Sequence, residues 1–111
     1  HQNYKNKVLK ANDIATMSTG KRLGHPVRSI KNPYTKEYFK LEYSNISDEE
    51  LEAYGRGSLY RAAVEGDEKT GCFLAGQIAG MVNKEQTAKE IIEEIFTQAE
   101  DVLKGATKWV K

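Results

Sequence analysis

The sequence predicts a predominantly α-helical protein with one small β hairpin, an α+β fold. Four stretches carry apolar residues at three- and four-residue spacing, the period of a helix with one buried face. Residues 14–31 differ, because strand-favouring threonine, valine and isoleucine alternate there with Gly20, Gly24 and Pro26, which interrupt regular structure. These two observations predict a hairpin set among helices.

The first two predicted helices lie on either side of the hairpin. Tyr4 and Val8 share a helical face, and the neighbouring lysines mostly lie outside it, so a short surface helix is expected at the N-terminus. The Asn32-Pro33 pair marks a boundary after the hairpin. Residues 34–41 then predict a short helix with an aromatic face.

A longer helix is predicted to begin at Ser47, because Ser47 and Glu50 have the spacing of a capping box. Gly66 is expected to end it. Gly55 and Gly57 fall inside it and weaken it by about 1 kcal/mol each relative to alanine. Along one face of this helix runs a stripe at helical spacing: Leu51, Tyr54, Ser58, Leu59 and Ala62.

The stretch "FLAGQIAGMV", residues 73–82, would place small residues on one side of a helix: Ala75, Gly76, Ala79 and Gly80. Such a bare surface permits either the close approach of another helix or contact with a flat ligand, and the spacing alone does not decide between them. The carboxamide of Gln77 either faces solvent or binds a polar edge.

The final predicted helix has Asn83 as its cap and Gln86 in the box position. From Lys84 to Val110 it would reach roughly 40 Å, whereas a compact domain of this size has a radius of gyration of about 13 Å. We therefore expect either a break near Gly105 or packing of its last turns against something outside the chain. Its apolar stripe consists of Ala88, Ile91, Ile92, Ile95, Ala99, Val102, Leu103, Ala106 and Val110.

Composition excludes several classes of function. The 17 lysines and arginines nearly balance the 16 acidic residues, which argues against nucleic-acid binding. No apolar run is long enough to span a membrane, and no secretion leader is visible. The lone Cys72 forms no internal disulfide. A cytoplasmic location is expected.

No catalytic residue and no metal ligand is predicted. His25, between glycine and proline, suits a structural turn better than a proton shuttle. The hairpin tip "GKRLGH" either binds an anion through its backbone or is simply a basic tip in water, and the latter is favoured. The acidic cluster of residues 48–52 is explained by its position at a helix start.

Three segments resemble a known family in order along the chain: "NYKNKVLKANDIATM", "GHPVRSIKN" and "FLAGQIAGMVNKEQTAKEIIEEI". They are similar to the C-terminal third of the FMN-dependent enoyl-(acyl-carrier-protein) reductases II, the FabK family, which is grouped with the nitronate monooxygenases or 2-nitropropane dioxygenases. The similarity is weakest between Tyr34 and Leu51.

The resemblance implies an inserted lid domain, residues 1–97, and the closing helix, residues 98–111, of a (β/α)8 flavin barrel that is missing from this chain. In the parent enzyme NAD(P)H would reduce FMN, and the substrate would be an enoyl thioester on acyl carrier protein. By resemblance, Ala75, Gly76 and Gln77 are candidate FMN contacts and Leu74 a candidate substrate contact. The fragment alone is expected to bind no cofactor tightly and to be inactive.

Two alternatives remain open. The chain could be the lid of a nitronate monooxygenase, or a stand-alone helical module that docks a partner through its last helix. A fragment should expose the stripe from Ile95 to Val110 or self-associate through it, whereas a module should bury that stripe within its own monomer.

Overall fold

The protein is mostly helical with one two-stranded sheet, as predicted, in a computed structural model that describes residues 1–109. The helices are α1 Gln2–Leu9, α2 Pro33–Glu42, α3 Asp48–Gly55, α4 Ser58–Tyr60 and α5 Ala88–Ala106, and the strands are β1 Thr16–Thr19 and β2 Val27–Ile30. A π-helical turn spans Arg61–Glu65, and 3₁₀ helices span Gln77–Met81 and Thr107–Trp109.

The strands β1 and β2 form the predicted antiparallel hairpin, with Thr16 opposite Ile30 and Thr19 opposite Val27. Helix α2 follows directly. Asn32 caps it by accepting a hydrogen bond from the Thr35 backbone N–H at 2.9 Å, and proline occupies its first position. Since proline at that position has no N–H to leave unpaired, the pair defines the helix start.

Buried side chains form two clusters on either side of the chain that leads out of the hairpin. One joins α2 to α3 and consists of Tyr34, Tyr38, Leu51 and Cys72. The other lies beneath α1 and consists of Ile30, Ala62 and Phe73, with Tyr4, Val8 and Ala75 packed against it.

The capping box at Ser47 and Glu50 is confirmed, with both of its hydrogen bonds present. The helix that follows is not continuous, however. It breaks after α3, because Gly57 adopts a left-handed conformation with φ of 74°. The chain then resumes as α4 and the π-helical turn, and these end at Gly66, also left-handed, as predicted.

The prediction of a helix with one bare side over residues 73–82 is wrong. Phe73 to Ala75 is extended and pairs with β2, and only Gln77–Met81 is helical, as a short 3₁₀ segment. Gly80 alone meets a close neighbour: a Cβ there would lie 2.9 Å from the backbone carbonyl carbon of Asn12. Gly76 is exposed, and a Cβ on it would meet only Ile78, at 4.0 Å.

The predicted cap of the last helix is also wrong. Helix α5 begins at Ala88, and Thr87 and Glu90 form the reciprocal bonds instead: the Thr87 N–H donates to the Glu90 carboxylate at 2.7 Å, and the Glu90 N–H donates to the Thr87 hydroxyl at 3.3 Å. Gln86 instead hydrogen-bonds Glu94 with its side chain. The segment before α5 therefore runs alongside the helix rather than extending it.

Helix α5 ends at Ala106, one residue after Gly105, which agrees with the expected break near Gly105, and the chain passes there into the 3₁₀ helix Thr107–Trp109. None of the residues of α5 is buried. The described chain has a radius of gyration of 18.1 Å and extends 59 Å along its longest axis, so it is larger than the about 13 Å expected of a compact domain of this size. Val110, the last residue of the predicted stripe, lies outside the described residues. Across residues 1–109, no helix combines the length and hydrophobicity needed to cross a membrane.

The two glycines of the 73–82 stretch should respond differently to substitution. Gly80→Ala should lower the free energy of unfolding by about 1–3 kcal/mol, because its Cβ meets backbone that cannot rotate away. Gly76→Ala, the matched control, should change it by less than about 0.5 kcal/mol. Urea unfolding followed by circular dichroism measures both, and equal effects would contradict the assigned close approach.

Candidate functional site

The predicted site residues lie in a segment that is held against the outer edge of the hairpin. The Ile30 N–H donates to the carbonyl of Phe73 at 2.8 Å, and the Ala75 N–H donates to the carbonyl of Arg28 at 3.1 Å. An antiparallel bridge joins Leu74 to β2 between these bonds. The segment is thus extended and joined to β2 by a single bridge, which leaves its backbone little freedom.

Helix α1 fixes the same segment from the other side. The Tyr4 hydroxyl donates to the carbonyl of Leu74 at 2.6 Å, and the Tyr4 ring centroid lies 4.9 Å from that of Phe73. Phe73 is completely buried. Sequence reasoning missed this role of Tyr4, since its helical spacing indicated only a buried face.

The three candidate cofactor residues differ in their burial. Ala75 packs against the cluster beneath α1, whereas Gly76 and Gln77 are exposed. Within residues 1–109, the backbone N–H groups of Gly76 and Gln77 have no hydrogen-bond partner. A bare backbone with unpaired N–H donors leaves room for the face and the polar edge of a flat ring, as the predicted role of FMN contacts requires.

Leu74 belongs to a different surface from Gly76 and Gln77. Its partly exposed side chain lines a cleft of about 200 Å³ between the hairpin, α2 and the start of α4. We call this the hairpin cleft, and its other walls are Thr19, Gly20, His25, Val27, Tyr34, Tyr38, Gly55, Ser58, Leu59 and Cys72. The structure therefore separates the predicted substrate residue from two of the three predicted cofactor residues.

The hairpin tip does not present a free anion site. The buried carboxylate of Glu42 accepts hydrogen bonds from the backbone N–H groups of Gly20, at 3.1 Å, and Arg22, at 2.9 Å. The Arg22 side chain binds Asp48 at 2.8 Å and the carbonyl of Ile46 at 2.6 Å. The backbone that could have held a phosphate holds a protein carboxylate, which sequence reasoning did not identify. The tip is exposed, as the favoured interpretation expected, and its Arg22 side chain is in addition ion-paired with Asp48.

His25 lies in the turn as expected. Its backbone N–H donates to the carbonyl of Gly20 at 3.0 Å, and a Cβ on Gly20 would lie 2.5 Å from the His25 carbonyl oxygen. The tip therefore requires glycine at position 20. No group of three metal-ligating side chains is found among residues 1–109, and in the acidic cluster Asp48 pairs with Arg22 while Glu50 caps α3.

A second open surface joins the 3₁₀ helix to α5. Ile78, Met81 and Val82 are exposed and face α5 across a groove of about 470 Å³ that also includes Ile91 and Ile95. The groove continues into a stripe of exposed residues that we call the α5 apolar face: Ile91, Ile92, Ile95, Phe96, Val102 and Leu103. Exposed apolar residues grouped on one helix face are typical of interaction surfaces.

The comparisons with known proteins give matches among solved structures. No protein-family model and no curated protein sequence matches the chain. Among solved structures, FabK from Thermotoga maritima superposes with a TM-score of 0.91 at 34% identity, over 99% of this chain and 35% of that protein. The chain resembles FabK over nearly its whole length. A methionine-to-alanine variant of FabK from the same organism gives a TM-score of 0.80 at 31% identity, over 99% of this chain and 32% of that one.

The resemblance to FabK predicted from the three sequence segments is thus confirmed. Because the match covers 99% of the chain, it includes both the hairpin region and the projecting helix α5. The chain spans only about a third of the length of the FabK structure that it matches. The rest of FabK has no counterpart here.

Glu42 should be essential for the shape of the hairpin tip. Glu42→Gln replaces one accepting oxygen by a donor that faces a backbone N–H, so it should lower the free energy of unfolding by about 1–3 kcal/mol. Glu37→Gln, on the same helix and in an exposed pair with Lys40, should cost less than about 0.5 kcal/mol. Urea unfolding compares the two variants.

The amide resonances of Gly20 and Arg22 provide a local readout of the same substitution. They should shift strongly in Glu42→Gln and stay in place in Glu37→Gln. Unchanged amide shifts and equal stabilities in the two variants would show that the carboxylate does not hold the tip.

Proposed function

We propose that the chain is the C-terminal third of a FMN-dependent, NAD(P)H-using enoyl-(acyl-carrier-protein) reductase of cytoplasmic bacterial fatty-acid synthesis. In this proposal residues 1–97 form a lid over flavin and substrate, and residues 98–111 are the closing helix of a (β/α)8 barrel. The single observation that carries the proposal is the superposition on FabK over 99% of the chain with a TM-score of 0.91.

The exposure of the α5 apolar face supports a fragment over a stand-alone module. A module would bury this stripe in its own monomer, yet Ile95 is 59% exposed and Leu103 is 71% exposed. Burying such side chains contributes about 1.5–3 kcal/mol each. The missing barrel is a surface that would supply this burial. The helix is continuous across residues 97 and 98, so the proposed division is one of packing partners and not of secondary structure.

The segment that ends at Gln77 supports the lid role. When bound, FMN supplies the hydride-transfer chemistry, and the protein binds, orients and excludes water. Ala75 is fixed by its hydrogen bond to β2, so the backbone of Gly76 is presented at a defined place without a side chain. Gln77 adds a carboxamide that can donate to or accept from a polar ring edge.

The chain by itself should not be an enzyme. Its hairpin-tip amides are already bound to Glu42, so they offer no place for a flavin phosphate. The acyl carrier protein thioester and NAD(P)H are therefore partners of the parent protein. The match to FabK favours this activity over that of a nitronate monooxygenase.

Reconstitution with FMN tests the proposal. The isolated chain, mixed with FMN and desalted, should retain no flavin absorbance, whereas the parent protein that contains it should elute yellow and oxidise NAD(P)H with crotonyl thioester. A stoichiometric yellow complex of the isolated chain would contradict the proposed dependence on the barrel, and a parent that reduces nitronate acceptors but no enoyl thioester would overturn the reductase assignment.

In the parent protein, Gly76→Leu should weaken FMN binding about tenfold, because an added side chain would obstruct the ring. Ala53→Leu, at an exposed position on α3, is the control and should leave FMN affinity unchanged. Flavin titration measures both, and equal affinities in the two variants would remove Gly76 from the cofactor surface.

A further inference from the structure

The hairpin cleft is a partly open groove that several elements of the fold build together. Its walls come from the hairpin, α2, α3, α4 and the residues Cys72 and Leu74. Tyr34, Ser58 and Cys72 are more than nine-tenths buried, whereas Leu59 and Leu74 remain partly exposed. The cleft thus has a buried interior and an open apolar rim.

The lining of the hairpin cleft contains no lysine, arginine, aspartate or glutamate. Burial raises the pKa of the Tyr34 hydroxyl to about 12, although a hydrogen bond with Ser58 opposes the shift. Burial also raises the pKa of Tyr38 and of the Cys72 thiol. These groups therefore stay uncharged at neutral pH.

Such a lining selects against an anion. A phosphate placed there would lose its hydration and meet no lysine or arginine, with His25 as the one basic side chain in the lining, which carries a large free-energy cost. An uncharged alkyl chain gains about 0.8 kcal/mol for each methylene removed from water. The phosphate-bearing parts of a flavin, a nicotinamide cofactor or a phosphopantetheine arm are thus disfavoured in the cleft, and an apolar chain is favoured.

We infer that the hairpin cleft takes the far end of the acyl chain of the enoyl thioester, with Leu74 and Leu59 as its apolar rim. This inference rests on the proposed function, and it deepens that function by assigning chain-length selection to this region. Leu74 connects the hairpin cleft to the candidate cofactor surface at Gly76 and Gln77, because it lines the cleft and lies two residues before Gly76.

Gly55 offers a probe of the cleft that does not disturb the fold. It is helical, and a Cβ on it would lie 3.6 Å from a ring carbon of Tyr38 and 3.8 Å from the Tyr34 hydroxyl oxygen. These are ordinary van der Waals distances, so Gly55→Ala adds one methyl group to the cleft wall. The substitution also favours the helix.

The test compares kcat/KM for trans-2-octenoyl and crotonyl thioesters in the parent protein. Gly55→Ala should lower kcat/KM for the octenoyl substrate about fourfold, chiefly through KM, if it displaces one methylene. The crotonyl value should change less than about twofold. Leu59→Ala, which widens the rim, should shift the preference towards the longer chain, and Ala53→Leu should change neither value.

The outcomes separate this inference from the function on which it rests. Equal losses of kcat/KM for the two substrates would overturn the inference and leave the reductase assignment standing. An unchanged chain-length preference in both cleft variants would do the same, and this result is expected if a barrel side chain fills the cleft. A parent protein without activity on any enoyl thioester would overturn both.

Discussion

The pairing of Phe73–Ala75 with β2 is the constraint that positions both the hairpin cleft and the exposed backbone at Gly76. Two backbone hydrogen bonds to the hairpin and one from the Tyr4 hydroxyl fix this extended segment, and the burial of Phe73 anchors it. Because side chains alternate along a strand, the chain can send Phe73 into the core and leave Leu74 in the hairpin cleft. It then emerges at Gly76 as a bare, exposed backbone. Disrupting this pairing would displace the candidate cofactor and substrate residues together.

A second feature of the structure is the exposure of helix α5. Helix α5 has a continuous apolar face and no buried residue, and such a helix does not provide its own stability in water. FabK contains this arrangement together with about twice as much additional chain, since the match covers 35% of it. In the function we propose, the exposed α5 apolar face is the surface that packs against the remainder of a FabK-like protein.

The sequence predicted the helices and the hairpin where local signals were strong. The box at Ser47, the Asn32-Pro33 boundary and the stop at Gly66 are all local. The predictions failed where a residue distant in the sequence determines the local structure. The 73–82 stretch has helix-like spacing but pairs with β2, and the hairpin tip is shaped by Glu42, twenty or more residues away. The site residues came from family resemblance, and their division between two surfaces could not be predicted without the fold.

Hydrogen–deuterium exchange along α5, in the isolated chain and in the parent protein, tests whether the α5 apolar face packs against the rest of a FabK-like protein. The amide hydrogens of a helix that packs on a barrel exchange only when that packing is lost, whereas an unpacked helix frays and its amides exchange rapidly. The account predicts strong protection of residues 91–103 in the parent and its loss, or a protein-concentration-dependent protection from self-association, in the isolated chain. A monomeric isolated chain whose α5 is as protected as in the parent would contradict it.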